Sequence, residues 1–264
     1  MQNDRMVCDY PCPILAEPIK NINTISVVLS GAHCLLLSET GEVYAAGDNQ
    51  EGEISPESEL ACITTPRAVD TLSLQKIVQV TAGSNHTAAL TADQQVISWG
   101  NNEMNQLGHS ADQVFRVRPK IMRGIEKLFA VQVVCGDTHT VVLTANGDVF
   151  TCGSNAVGST GHGEFKGNKD KLTHVDALKS VPISQVAAGA HHTIACSVSG
   201  LVYSWGRNRF GQLGLSTKRY PHALFEPKSV NLPEPIQQTS AGTAHSVFVT
   251  RSGKVYVCGR VSIL

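Results

Sequence analysis

Five histidines offer the most conspicuous chemistry in this chain, because equal intervals of 53 residues separate them. They are His33, His86, His139, His192 and His245. Histidine is the commonest metal ligand and titrates near neutral pH, so a ring of five could bind metal or act in catalysis. Residues repeated at a fixed interval, however, lie apart on successive structural units and do not converge on one ion. We therefore expect buried structural histidines whose ring nitrogens bond to neighbouring backbone groups.

The cysteines and the remaining motifs give no stronger indication of catalysis. Six cysteines stand alone, mostly within apolar runs: Cys34, Cys62, Cys135, Cys152, Cys196 and Cys258. Cys8 and Cys12 form one pair without the second pair that completes a zinc site, so we predict free thiols in a reducing compartment. The glycine-rich stretch 158–163 is interpreted as a turn, because no Lys-Ser/Thr follows it. The sequence thus predicts no catalytic residue, no metal and no cofactor.

The interval of 53 residues extends to further columns of the sequence. A glycine follows each histidine by 14 residues, at Gly47, Gly100, Gly153, Gly206 and Gly259. Pro13, Pro66 and Pro119 keep the same phase. We therefore divide the chain into a leading segment, 1–12, and one repeat domain, 13–264. The units of the domain are 13–65, 66–118, 119–171, 172–224 and the partial unit 225–264, as expected for a tandem repeat architecture.

Each unit has the pattern of an antiparallel meander. Three β-rich runs separated by short turns lie between Ile77 and Trp99 in the best-formed copy. Four of the five copies have glycine in the second turn, where a left-handed residue is needed, but the second copy has Gln94, which predicts a strained or rearranged turn. Both faces of the run 139–144 are apolar or small, which is typical of a strand between two sheets. Radial stacking would bury both faces, so the sequence predicts an all-β fold, a β-propeller.

Composition narrows the classes of function. The chain is 42% apolar, carries a net charge of −1 and has a pI near 6.8, which argues against gripping nucleic acid mainly through its phosphates. Residues 1–13 contain charges and prolines rather than the apolar core of a signal peptide. No run reaches the length of a membrane span. We expect an intracellular protein, in the cytoplasm, the nucleus or both, that is not secreted.

The pattern from Gly136 to Gly153, with the motif Trp-Gly-Arg-Asn-Arg-Phe-Gly-Gln-Leu-Gly at 205–214, resembles the regulator of chromosome condensation (RCC1-like) repeat. The resemblance covers nearly the whole chain and implies a propeller of four-stranded blades, usually seven. This chain provides four complete units and most of a fifth. It would therefore form five blades of its own or part of a seven-bladed ring, open or truncated. Segment 1–12 could supply a closing strand, and an incomplete ring could form a homodimer or a larger complex.

The resemblance implies two functions, a non-catalytic protein-interaction module and a guanine-nucleotide exchange factor for a Ran-type small GTPase. In the family, exchange uses a face built partly from the two residues between the glycine and the histidine of each repeat. Here those positions are Ser84, Asn85, Asp137, Thr138, Ala190, His191, Thr243 and Ala244, with Ala32 in the first unit. Asp137 and His191 fit the family's pattern, whereas the others are small and neutral. The even spacing leaves no room for the inserted wedge of an exchange factor, so we favour the interaction module.

Two loops that follow the Gly-Gln-Leu-Gly motif in consecutive units carry basic residues. They are Lys166, Lys169, Lys171, Lys218 and Arg219. If they share one rim of the propeller, they could meet an acidic protein surface. The alternative, which we prefer, is that they are solvated loop residues.

Overall fold

The fold is all-β, as predicted. A computed structural model describes residues 23–30, 33–109, 114–163 and 167–260 of the chain, and these contain five antiparallel sheets in chain order. The first sheet consists of β1 (Thr24–Leu29), β2 (His33–Ser38), β3 (Val43–Asp48) and β4 (Cys62–Ala68). The second consists of β5 (Ile77–Ala82), β6 (His86–Thr91), β7 (Val96–Gly100) and β8 (Val117–Ile121). The third consists of β9 (Ala130–Cys135), β10 (His139–Thr144), β11 (Val149–Gly153) and β12 (Lys169–His174).

The fourth and fifth sheets repeat the same order. The fourth consists of β13 (Ile183–Ala188), β14 (His192–Ser197), β15 (Val202–Arg207) and β16 (Ala223–Val230). The fifth has three strands within the described residues, β17 (Ile236–Ala241), β18 (His245–Thr250) and β19 (Val255–Gly259). Each sheet is a meander, in which strands adjacent in sequence pair antiparallel. Successive sheets pack through their first strands, so the five form the blades of a β-propeller.

The sheets and the repeat units have different phases. Each sheet begins about nine residues before its histidine, at Thr24 for the first one. The proposed unit limits at 65/66, 118/119, 171/172 and 224/225 all fall inside the outer strands β4, β8, β12 and β16. The proposed closing segment 1–12 lies outside the described residues. In the described part of the chain, no helix is long and apolar enough to cross a membrane.

The second strand of each internal sheet lies in the core, because its two faces contact different sheets. All six residues of β10 are buried, although they alternate between the two faces. Leu143 and Val149 of the third sheet form one buried cluster with Ile183 and Val186 of the fourth. Burial of an aliphatic side chain of this size contributes roughly 1.5–3 kcal/mol. The packing between sheets, rather than within one sheet, therefore stabilises the array.

The turn between the second and third strands requires a left-handed residue, as the sequence indicates. Gly147 has φ +84° in the third sheet. Gln94 has φ 61° at the same place in the second sheet, so a non-glycine residue adopts a conformation that is costly for L-residues. The prediction of a strained turn at Gln94 is confirmed.

Two sheet faces are open in the described part of the chain. Val27 of β1 is 58% exposed, whereas its equivalents in the next three sheets are at most 3% exposed. Val255 of β19 is 60% exposed, whereas its equivalents in the first four sheets are also at most 3% exposed. The packing that joins successive sheets is thus not repeated between the fifth sheet and the first.

Candidate partner-binding face

Each of the first four repeated histidines bonds to the next sheet. The Nε2 atom of His86 lies 3.0 Å from Oγ1 of Thr140, and Nε2 of His139 lies 2.9 Å from Oγ1 of Thr193. The Thr140 hydroxyl donates to the carbonyl of Gln106 at 2.7 Å, so its one proton is used and the His86 Nε2 must donate. The same contact joins His33 to Thr87 and His192 to Ser246. We expected backbone partners, and the structure instead shows side-chain hydroxyls that follow the next histidine in sequence.

Burial removes the histidine and cysteine side chains of the core from acid–base chemistry. It lowers the pKa of His86 and of His139 to about 3, so both are neutral at physiological pH. Burial raises the pKa of the Cys135 thiol to about 12. These groups are neutral packing and hydrogen-bonding residues, and within the described part of the chain no cluster of His, Cys, Asp or Glu could hold a metal ion.

The glycine three residues before each internal histidine is required by close approach. A Cβ on Gly136 would lie 2.2 Å from Cε1 of His139 and 2.6 Å from the carbonyl oxygen of Gly189 in the next sheet. No side chain fits between an imidazole ring and a backbone carbonyl at those distances. The glycine and the histidine of the Gly-x-x-His motif therefore make contacts between sheets. The two variable residues between them are the ones available to bind a partner.

A second column of sheet-to-sheet contacts escaped the sequence reasoning. The Gln79 side chain donates to the carbonyl of Val133 at 2.9 Å and accepts from the amide of the same residue at 3.1 Å. Gln132 makes the same pair of bonds to Val186 in the following sheet. A signal was present, because glutamine recurs seven residues before the histidine at positions 79, 132, 185 and 238. The amides of Gln79, Gln132 and Gln185 each tie a first strand to the first strand of the next sheet.

The loops before the second strand and after the third strand emerge at one end of the sheets. The amide of Ser154 donates to the carbonyl of Thr138 at 2.9 Å, and the amide of Arg207 donates to that of His191 at the same distance. Asn101 and Arg260 make the equivalent bonds to Asn85 and Ala244. These backbone bonds hold the two loops of the second to fifth sheets side by side. We call this end of the molecule the loop face.

The structure gathers part of the predicted face around a central cavity. A cavity of 360 Å³ opens at the loop face and is lined by residues of all five sheets. Its polar or small lining includes four of the predicted positions, Ser84, Asp137, Ala190 and Thr243. The four positions that directly precede a histidine (Asn85, Thr138, His191 and Ala244) do not line it. Their carbonyls instead anchor the neighbouring loops.

Asp137, which lines the cavity, and His191, which does not, lie on adjacent sheets of the loop face. The Oδ2 atom of Asp137 is 3.9 Å from Nε2 of His191, and the Asp137 amide donates to the carbonyl of Ala190 at 2.9 Å. Burial lowers the pKa of His191, and the charge of Arg207 lowers it further, whereas Asp137 acts in the opposite direction. The pair is therefore a polar contact between sheets with one exposed edge, suited to hydrogen-bonding a partner.

The predicted basic loops are divided between a strand and a loop. Lys169 and Lys171 belong to the outer strand β12 of the third sheet. Lys218 and Arg219 lie in the loop before β16 of the fourth sheet, where the Arg219 guanidinium is 5.3 Å from the ring centroid of Tyr220. Lys166 lies outside the described residues. That these side chains form one basic rim stays a prediction.

The residue after the third-strand glycine changes in charge around the loop face, which the sequence reasoning did not notice. In sheet order this column reads Asp48, Asn101, Ser154, Arg207 and Arg260. The column could have been found from the same 53-residue interval, because each member follows the glycine directly. The column therefore changes from a carboxylate in the first sheet to guanidiniums in the fourth and fifth.

Comparison with known proteins identifies the fold and its relatives. The sequence model of the RCC1-like domain matches residues 2–263. The E3 ubiquitin-protein ligase HERC2 of Homo sapiens is 29% identical over 242 residues, which are 90% of this chain and 5% of that protein. The ultraviolet-B receptor UVR8 of Arabidopsis thaliana is 31% identical over 258 residues, which are 96% of this chain and 56% of UVR8.

Among solved structures, Prp20p of Saccharomyces cerevisiae superposes with a TM-score of 0.77 at 26% identity. The match covers 89% of this chain and 58% of Prp20p, whose structure was reported with its binding properties to Gsp1p and histones. The chain thus spans less than two thirds of the length of each of these three proteins. The predicted family resemblance and the propeller fold are both confirmed.

Proposed function

This chain belongs to the family of RCC1-like domains, and we propose that it is a non-catalytic interaction module that binds a protein partner through its loop face. The RCC1-like propeller is a protein-interaction fold, and loops on a rigid scaffold are its usual means of binding. The observation that carries the proposal is that repeated and variable residues lie at different places in the fold. The repeated residues make contacts between sheets, whereas the residues that differ between copies are displayed at the loop face.

The chemistry of the described residues supports a binding role rather than catalysis. The histidines of the core are neutral and bonded to hydroxyls, so none of them is available to transfer a proton to a bound molecule. The cavity at the loop face is lined mainly by glycine, alanine and small polar residues, with Asp137 as its only charged lining residue in the described chain. Such a surface offers hydrogen bonds and one charge to a partner.

A pair of matched substitutions tests the loop face. Asp137→Lys changes a charge at the cavity, and Asp93→Lys makes the same change in an exposed turn at the opposite end of the sheets. We expect partners that are captured from cell extract by the wild-type chain, and crosslinked to its loop face, to be lost with Asp137→Lys and retained with Asp93→Lys. Equal retention by both variants, or crosslinks confined to the opposite end, would contradict the proposal.

A second candidate function is nucleotide exchange on a Ran-type small GTPase. Two observations favour it, the similarity to Prp20p, which was studied with Gsp1p, and the placement of Asp137 and His191 on adjacent sheets at the loop face. The test is release of a fluorescent guanine nucleotide from a purified Ran-type GTPase. Exchange activity predicts acceleration that Asp137→Lys abolishes. A release rate unchanged by the wild-type chain would exclude exchange on that GTPase and leave the interaction module standing.

A further inference from the structure

The loop face carries carboxylates on its first and second sheets and arginines on its fourth and fifth, although Arg116 also binds the backbone of the loop in the first sheet. Asp48 ends the third strand of the first sheet, Glu51 lies in the loop that follows it, and Glu103 lies in the equivalent loop of the second sheet. In the fourth sheet, Arg207 ends the third strand and Arg209 lies in the loop that follows it. The same backbone hydrogen bonds hold these loops in the second to fifth sheets, so the arginines of the fourth and fifth sheets are displayed from a rigid frame.

The basic side is organised around one aromatic ring. The guanidinium carbon of Arg260, from the fifth sheet, lies 5.4 Å from the ring centroid of Phe210, and that of Arg209 lies 5.9 Å from the same centroid. Phe210 is 41% exposed although it is a large apolar residue. A guanidinium within about 6 Å of a ring centroid is attracted electrostatically to the face of the ring. Two cations are therefore held near one ring, and their mutual repulsion would be relieved by an anion between them.

The arginines of this side have no carboxylate partner in the described part of the chain. Arg207, Arg209 and Arg260 make no ion pair within 4.0 Å there and no side-chain hydrogen bond, in contrast to Lys254, which pairs with Glu234. A guanidinium offers five N–H donors in a fork that matches a carboxylate bidentately. The forks of Arg209 and Arg260 are thus presented beside the exposed phenyl ring of Phe210, and Arg207 lies on the same face three residues before that ring.

We propose that Arg207, Arg209, Phe210 and Arg260, which we call the arginine patch, bind a carboxylate-rich segment of a protein partner. The segment places Asp or Glu side chains on the guanidiniums and an apolar or aromatic side chain on Phe210. This proposal rests on the proposed function and specifies the chemistry of the partner. A polypeptide is favoured over nucleic acid because a phosphate backbone that crosses the face would be repelled by Asp48, Glu51 and Glu103. A peptide can place uncharged residues at those positions, whereas every nucleotide carries a phosphate charge.

The test uses the full chain and two equal charge reversals. The first variant is Arg207→Glu/Arg209→Glu/Arg260→Glu. The control is Lys120→Glu/Arg123→Glu/Lys127→Glu, which changes the net charge equally at exposed residues of the outer strand β8 and the loop that follows it. The probe is a short fluorescein-labelled peptide rich in Glu with one central Tyr, and anisotropy at low and moderate salt measures its binding. A single-stranded DNA of equal charge is measured in parallel.

We expect the arginine-patch variant to bind the peptide roughly tenfold or more weakly than wild type, with the control nearly unchanged. Phe210→Ala should weaken the Tyr-containing peptide more than one with Ala in place of Tyr. Equal losses in both charge reversals would show a net-charge effect only and overturn the proposal. Tighter binding of the DNA would also overturn it, in favour of a nucleic-acid surface. If the triple variant lacks the native circular dichroism spectrum, Arg209→Glu alone decides, because Arg209 is exposed.

The outcome can be separated from failure of the proposed function. If partners crosslink to the loop face and depend on Asp137 but not on the arginine patch, the interaction module stands and the acidic-segment proposal falls. If no partner depends on any residue of the loop face, the proposed function itself fails. The acidic-segment proposal, which requires a protein partner at the loop face, would then fail as well, even if the Glu-rich probe binds.

Discussion

Glu53 occupies a position where the second and fourth sheets carry glutamine. Gln106 accepts from the amide of Met104 and donates to Asn101, both at 2.9 Å. Glu53 is fully buried and accepts from the amide of Glu51, but its other carboxylate oxygen has no hydrogen-bond partner among the described residues. Burial raises the pKa of Glu53, and the charge of Asp48 adds to that increase. The first sheet thus has a carboxylate with an unsatisfied buried oxygen at the position where the Gln106 amide donates a hydrogen bond in the second sheet.

We predict that Glu53→Gln stabilises the chain at neutral pH by about 1 kcal/mol, because the new amide can donate where the carboxylate oxygen is unsatisfied. A raised folded-state pKa means that the Glu53 contribution is fully present below the ordinary pKa of 4.5 and is lost as pH rises through the folded value. The gain from Glu53→Gln should therefore grow with pH above 4.5. Urea unfolding over a pH series measures it, with the exposed Glu59→Gln as control. A gain that does not depend on pH would contradict this account.

The turn between the second and third strands has the same left-handed conformation in the second and third sheets, although its residue differs between them. The turn glycine of the third sheet, Gly147, has φ +84°, whereas Gln94 adopts φ 61° in the second sheet. The strand register on either side of Gln94 is nevertheless the same as in the other sheets. Packing against neighbouring sheets thus overrides the local preference of one turn residue.

At the scale of this turn, we predict that Gln94→Gly raises the unfolding free energy by about 0.5–1 kcal/mol, since relief of left-handed strain exceeds the added entropy of the unfolded chain. The reciprocal change, Gly147→Ala, should lower it by about 1 kcal/mol or more. Its Cβ would lie 3.1 Å from the amide nitrogen of Ile183 in the next sheet, in addition to the left-handed strain. Thermal unfolding of both variants provides the measurement. A loss of stability in Gln94→Gly would show that its side chain makes a compensating contact.

Within the described residues, the molecule is an array of five sheets, and the first and the last sheet each have one face that no other described sheet covers. Val255 and Val257 are more than half exposed on the fifth sheet. Val149, which is equivalent to Val255, is buried between the third and fourth sheets. Cooperative stability in repeat architectures arises mainly from interfaces between neighbours. The two end faces should therefore contribute far less than the four internal interfaces.

We predict that Val149→Ala lowers the unfolding free energy by about 2 kcal/mol, whereas Val255→Ala changes it by less than about 0.5 kcal/mol. Both substitutions remove the same two methyl groups, so the difference reports burial alone. Denaturant unfolding should be repeated over a range of protein concentrations. An equal cost at both sites would mean that the fifth face is covered in solution, and dependence on concentration would identify a second copy as the cover.

The sequence alone determined the repeat, the meander and the class of fold. Periodic spacing was sufficient to predict the fold class, because each unit has apolar residues on both faces of its second strand. A single sheet cannot bury both faces, so the units must stack. The sequence also indicated that the repeated histidines were structural and that Gln94 would strain its turn. These inferences depend on local backbone geometry and on the need to satisfy buried polar groups.

Only the tertiary structure decided what meets across the sheets. The hydroxyl partner of His86 and the backbone partner of Gln79 are each 54 residues away in the sequence. The rotation between successive blades, rather than any local preference, brings these groups within hydrogen-bond distance. The same rotation brings Arg209 and Arg260 to one phenyl ring and separates them from the acidic side of the face. A sequence lists these residues in register, but their charges act together only when the sheets are arranged in space.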